Sequence, residues 1–516
     1  MSNTKIIAKN SGWYGLEYIT SSVIGLFCSV AIARTLGPSK MGYIIYVMWI
    51  ASVVTNLGNL GISATTRKYM AEFLGMGDRG TARYIYFRTL LLQVGVATLA
   101  TGGVLVWVLR DSDPAYRVAS IFVVLSIWPA MINSISAMAN NAAEELSKNL
   151  PASVISTFVY LAVIAATVVF KWGVLGVGIA FFIMRVVDFL WRFFPTLKRI
   201  LTWETTHIQP ADLTKRMITF AWQSVTTMIV ALIVWNRSEV ILLKYLCSDI
   251  RQIAFYSLAF SMAEQLLISS TVFGSAASAT IFAQIGRDKS KLNALTASTF
   301  RYLALTAIPL HFIASALAVP ALLLIYGKQY KDAAMVVMLA PLLCMPKAFM
   351  WPVQSLLQSM ERQSYVIAAT MIAGIVDFGV AWYLIPAHGA VGACIGSGAA
   401  QVTAIGLMWG VAVYRYKVTL PWMLVTKIAF ISVLAALTAH FIAVQFAPLW
   451  GLLAGGIASL AVLFALFYLM RVLEPEDRAR FSILTRSLPK RIAGPVDALL
   501  SLLIHPENAS AVPTNS

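Results

Sequence analysis

Residues 172–180 read Trp172-Gly173-Val174-Leu175-Gly176-Val177-Gly178-Ile179-Ala180, and residues 388–396 read His388-Gly389-Ala390-Val391-Gly392-Ala393-Cys394-Ile395-Gly396. Gly173, Gly176 and Ile179 thus return 216 positions later as Gly389, Gly392 and Ile395. A second echo, at an offset of 212, aligns Ser63, Ala64 and Ala71-Glu72 with Ser275, Ala276 and Ala283-Gln284. Two echoes at nearly one spacing mark a duplicated helical unit, the construction by which many membrane transporters obtain two halves that rock about a site between them.

The composition agrees. The chain is 59% apolar and 12% charged, with a mean hydropathy of +0.78, whereas soluble domains carry about a quarter charged residues. Runs long enough to cross a bilayer, about 20 residues each, fall near 13–34, 41–64, 84–109, 117–140, 151–171, 173–195, 217–243, 252–283, 300–327, 332–358, 365–386, 389–413, 421–446 and 449–471, fourteen in all. They are continuous rather than alternating at every second residue, which predicts α-helices instead of barrel strands. The first twelve residues are polar, with Lys5 and Lys9. The long run that follows lacks a small-residue cleavage site, so it reads as a retained first helix.

Basic residues mark the cytoplasmic side. With the N-terminus inside, the inner segments hold twenty-five Lys and Arg and the outer segments nine, which puts both termini in the cytoplasm. The net charge of +17 therefore reads as topology and attraction to anionic membrane lipids, with no nucleic-acid partner. Cys28, Cys247, Cys344 and Cys394 have neither metal-ligand nor redox spacing and read as packing residues, and no metal site is expected.

The echoes divide the chain into an N-terminal six-helix bundle, 1–200, and a C-terminal six-helix bundle, 212–418. Two additional transmembrane helices, 419–472, and a cytoplasmic basic tail, 473–516, follow. The Leu499–Ile504 stretch suits a short helix on the membrane surface. Loops are short, with no inserted hydrophilic domain to hold a sugar donor, no Walker A sequence, no HExxH and no G-x-S-x-G elbow. The reading is accordingly a transporter and not an enzyme, with no cofactor.

Ala33-Arg34-Thr35-Leu36-Gly37-Pro38-Ser39-Lys40-Met41-Gly42-Tyr43, then Gly58-Asn59-Leu60-Gly61-Ile62 and Arg67-Lys68-Tyr69-Met70-Ala71-Glu72, resemble the start of the bacterial polysaccharide-transport family. That family belongs to the multidrug/oligosaccharidyl-lipid/polysaccharide flippase superfamily. The chain departs from the usual turn in having Ile44 where an aromatic residue is common. The resemblance implies two six-helix bundles in a V around a central cavity, in the bacterial inner membrane. It also implies alternating access that moves undecaprenyl-diphosphate-linked oligosaccharide, the repeat unit of O-antigen, capsule or exopolysaccharide, to the periplasmic leaflet. Polysaccharide polymerase and chain-length machinery are the partners expected downstream. Two alternatives stay open: a multidrug or cation antiporter of the same superfamily, and a flippase for the peptidoglycan lipid precursor.

Ionisable groups inside apolar spans are costly unless they face water or a partner, so each is a site candidate. Arg88, Arg185, Arg237 and Lys347 are the deeply placed cations, and a diphosphate crossing a bilayer needs such groups. Lys347, Trp351, Gln354 and Gln358 follow i, i+4, i+7, i+11 on the tenth span and share one helix face. A cation, an aromatic platform and two amides suit a sugar diphosphate. Asn133, Asn140 and Glu144 make a weaker counterpart on the fourth span, for which interhelical hydrogen bonding is the stronger reading. Among the acids, Asp188 stands three residues after Arg185 and is expected to neutralise it. Glu17, Glu239, Glu264 and Asp377 are candidates for coupling to a proton or sodium gradient.

Overall fold

The computed structural model describes residues 3–111, 113–205, 210, 212–235, 238–285 and 292–473. Within them the chain is helical, with no strand. In order, the helices are α1 (Asn3–Gly58), α2 (Ile62–Gly75), α3 (Arg79–Asp111), α4 (Arg117–Leu125), α5 (Ile127–Ala142), α6 (Leu150–Val169), α7 (Gly173–Leu201), α8 (Leu213–Trp235) and α9 (Glu239–Leu246). They continue as α10 (Arg251–Ile285), α11 (Leu292–Ile325), α12 (Ala334–Cys344), α13 (Met350–Ser359), α14 (Gln363–His388), α15 (Ala390–Tyr414), α16 (Trp422–Val444) and α17 (Pro448–Leu469). The tail expected from 473 onward lies, beyond its first residue, outside the described residues.

Twelve stretches among the described residues are long and apolar enough to cross a membrane. One of them, Thr20–Gly58, has 39 residues, about 58 Å of helix and so twice the roughly 30 Å hydrocarbon core. It divides at Gly37, whose φ of 71° and ψ of 172° leave the helical region just before Pro38. The seventh expected span, 217–243, falls on α8 and α9, and residues 236–237 between them lie outside the described residues. These two places account for the difference between fourteen sequence runs and twelve helices.

The duplicated glycines perform one job twice. Gly173 (φ 61°) and Gly389 (φ 52°) each join two spans in the left-handed region, where a side chain costs about 1–2 kcal/mol. Three residues on, Gly176 and Gly392 let the new helix fold back onto the old one. A Cβ at Gly392 would stand 2.6 Å from the Leu384 carbonyl, and one at Gly176 would overlap the Thr167 side chain. The Gly-x-x-Gly spacing is therefore a helical hairpin written once for α6–α7 and once for α14–α15.

The described chain forms two compact units. Among the described residues, one runs to 257 and takes in 377–396, and the other comprises 258–376 with 397–473. In the first, α6 packs along α1 and α7, and α5 lies among α2, α3 and α7. Its core holds Ile44, Val123, Ile127, Met131 and Ile164, with a second cluster around Tyr69, Met70, Tyr86 and Ile135. In the second, α11 is the hub against which α12, α16 and α17 pack. There α17 presents Gly451 and Gly455 to the carbonyls of Ala443 and Ala439 of α16, the small-residue contact by which helices approach closely in a membrane.

Candidate functional site

The tenth span is not one helix. Pro346 follows the end of α12, and residues Met345–Phe349 form a 3-10 turn before α13 begins. Proline lacks the N–H that an α-helix would use and crowds the preceding turn, so the break is local chemistry. Lys347 stands on this turn and not on the α-helix that the i, i+4 spacing assumed. Its face is nonetheless shared: Lys347, Trp351, Gln354 and Gln358 are accessible, whereas Ala348, Phe349, Pro352, Val353, Ser355, Leu356 and Leu357 are buried. Neighbouring helices hold the break in shape. The Trp409 indole donates to the Phe349 carbonyl at 3.1 Å, and Phe300 packs on both rings at 4.8 Å between centroids.

Two residues of α10 complete this face. The Trp351 side chain lies against Gly274, where an added Cβ would approach it to 2.7 Å. The Lys347 ammonium stands 4.0 Å from the Glu264 carboxylate. Glu264, a coupling candidate by sequence, is thus a counter-charge of the candidate substrate cation.

A second cluster lies in the other unit. Glu239 and Asp377 are 1% and 2% exposed, and their carboxyl groups interact directly. The Tyr256 hydroxyl donates to Glu239 at 2.8 Å, and the Ser238 hydroxyl to Asp377 at 3.3 Å. Residues from α9, α10 and α14 thus surround two buried acids. Sequence reading named both carboxylates but not Ser238 or Tyr256, which carry no signal in spacing.

The remaining candidates are dispersed. Arg88 is exposed on α3, hydrogen-bonded to Tyr84 at 2.6 Å and Thr214 at 3.2 Å. Arg185 lies over the Phe181 ring at 5.2 Å. Asp188 does not take Arg185 as its hydrogen-bonded partner: it pairs with Arg192 at 2.7 Å and accepts from Asn133 at 2.6 Å. Asn140 donates to Asn149 and accepts from Thr196 and Arg199, so the fourth-span stripe is an interhelical network. Glu144 lies past the end of α5 with φ 58°. Arg237 lies outside the described residues, and Glu17 lies on α1 with its side chain outside those described. No group of three or more His, Cys, Asp or Glu suited to a metal ion occurs among the described residues.

A family model described as polysaccharide biosynthesis protein matches residues 31–336, more than half of the chain. No individually curated protein matches it. Among solved structures, the chain is similar to the lipid II flippase MurJ in an inward closed conformation. That match has 15% identity and a TM-score of 0.71 over 88% of this chain and 98% of the other. It is similar also to an inward-facing multidrug resistance MATE family transporter of the MOP superfamily, with 13% identity and a TM-score of 0.64 over 77% and 94%. A MOP superfamily transporter from Pyrococcus furiosus matches with 12% identity and a TM-score of 0.55 over 80% and 96%. At these identities the likeness is one of fold.

Proposed function

This chain belongs to the polysaccharide biosynthesis protein family, and we propose that it is a flippase carrying undecaprenyl-diphosphate-linked oligosaccharide repeat units from the cytoplasmic to the periplasmic leaflet of the bacterial inner membrane. The observation that carries this reading is the accessible face of Lys347, Trp351, Gln354 and Gln358 at the broken tenth span. A broken helix in a membrane is tolerated where its free backbone groups meet protein or water, and such breaks recur at transporter binding sites. Lys347 would neutralise part of the diphosphate, Trp351 would give a sugar an apolar platform, and the amides would exchange hydrogen bonds with its hydroxyls. Arg88 and Arg185 belong to the first unit and are not part of this face.

In this reading two six-helix halves alternate between inward and outward access, with both termini cytoplasmic. The Glu239–Asp377 pair couples the motion to a proton or sodium gradient, because two buried carboxyl groups in contact repel unless they share a proton or a cation. Glu17 and Glu264 are weaker candidates for that role, Glu264 because it faces Lys347. No chemistry is done on the cargo, and α16 and α17 flank the path for the lipid tail.

A deletion strain tests the assignment. Loss of surface polysaccharide, restored by the wild-type gene, is expected. Normal polysaccharide with altered drug tolerance would favour the antiporter reading, and arrested peptidoglycan synthesis would favour the lipid-precursor reading.

A further inference from the structure

Residues of α1, α3 and α9 meet in the first unit around a pair of adjoining cavities that the cargo reading does not use. One, of about 250 Å3, is lined by Tyr46, Trp107 and Tyr245 with Gly103 and Ile241. The other, of about 430 Å3, is lined by Lys244, Tyr245 and Ser248 among others. Tyr245 belongs to both. The first cavity is aromatic and aliphatic. The second carries one cation, and the described residues lining the two include no carboxylate. Asp249, the nearest acid in sequence, is engaged by Arg251 at 3.0 Å.

The residues are arranged in a way that scattered interfacial aromatics are not. Tyr46 is buried, at 5% exposure, and Tyr245 is open, at 73%. Both line the first cavity. Trp107 meets Tyr46 edge-on at 6.5 Å, and the Lys244 ammonium stands 5.7 Å from the Tyr46 ring centroid. Gly103 supplies the remaining space, since a Cβ there would meet nothing within 4 Å. The combined space lies within the roughly 300–1,000 Å3 of ordinary ligand sites.

We infer that these paired cavities hold one anionic glycerophospholipid of the bilayer, its phosphodiester on Lys244 and the start of an acyl chain along Tyr46, Gly103 and Trp107. The occupant follows from charge and polarity. An apolar compartment at membrane depth beside a cationic one at the helix ends matches an amphiphile, and one unopposed cation matches a monoanionic phosphodiester better than a diphosphate. Bound lipid would tie α9 to α1 and α3. In the orientation proposed above, this is the outer leaflet.

Native mass spectrometry of the full-length protein, titrated with phosphatidylglycerol or phosphatidylcholine, tests the site. The wild type is expected to retain phosphatidylglycerol with about a tenfold preference, roughly one charge-assisted contact. Lys244→Gln should abolish the preference. Gly103→Leu, which fills the open space, should abolish retention of both lipids with the melting temperature unchanged. Equal retention of the two lipids by the wild type would overturn the proposal, as would indifference of phosphatidylglycerol binding to both substitutions. Displacement of phosphatidylglycerol by a lower concentration of a prenyl diphosphate would also overturn it, by making the site part of the cargo path. Trp107→Ala serves as a second apolar variant if Gly103→Leu fails to fold. Apart from that displacement, these outcomes do not bear on whether the protein moves oligosaccharide.

Discussion

The Tyr256 hydroxyl donates to the buried Glu239 carboxylate at 2.8 Å, and Glu239 in turn lies against Asp377, 138 positions away in the chain. The first relationship supports the fold and the second is offered as function, and substitutions separate them. Tyr256→Phe leaves a buried acceptor with one donor fewer, a loss of about 1–3 kcal/mol. A lowered melting temperature with export retained is expected. Glu239→Gln and Asp377→Asn each remove a charge while keeping shape. In reconstituted vesicles they should remove the dependence of cargo movement on an imposed proton or sodium gradient; undiminished dependence in both would remove the pair from the coupling mechanism.

Lys347 and Glu264 stand 4.0 Å apart, which raises the question whether the cation serves the cargo or only its neighbour. Lys347→Ala should abolish complementation at normal expression. The exchange Lys347→Glu with Glu264→Lys restores an ion pair but moves the positive charge. Export should stay absent in the double variant, and its recovery would show that the pair is structural.

The two hairpin glycines differ in surroundings despite their common φ. A Cβ at Gly173 meets nothing within 4 Å, whereas one at Gly389 would stand 2.6 Å from the Gln252 side-chain oxygen, which accepts the Ala390 N–H at 3.0 Å. Gly173→Ala should therefore cost about 1–2 kcal/mol for the left-handed backbone. Gly389→Ala should cost about 1 kcal/mol more for the disturbed hydrogen bond. Thermal unfolding in detergent would rank them, and an equal loss would contradict the role given to Gln252.

Asn140 is almost fully buried and serves Asn149, Thr196 and Arg199 together. Asn140→Ala should lower stability by about 1–3 kcal/mol through the partners it leaves unsatisfied. Any folded fraction should export normally, which a transport assay corrected for folded protein would check.

The fold was legible because glycine spacing and apolar length are local properties that the bilayer enforces. The duplication around Gly173 and Gly389 needed only the sequence, whereas their left-handed backbone and the close approach at Gly176 and Gly392 came from the structure. The site was legible in part. The Lys347 face survived the break at Pro346 because a 3-10 turn displaces a side chain without moving it to the opposite side. The partner of Asp188 was misassigned between two equally local candidates. Arg192, at i+4 and C-terminal to the acid, is the favoured geometry over Arg185 at i−3. The meeting of Glu239 with Asp377 was not legible, since it depends on how α9 and α14 pack and no spacing rule joins residues so far apart.

The central claim concerns direction and cargo, and leaflet accounting tests it most directly. In spheroplasts lacking the protein, lipid-linked repeat units would be scored for protection from externally added periodate, with wild-type and Lys347→Ala complementation alongside. The account predicts that the repeat units accumulate protected on the inner leaflet in the deletion and Lys347→Ala strains and become accessible with the wild type. Full accessibility of the repeat units in the deletion strain would contradict it.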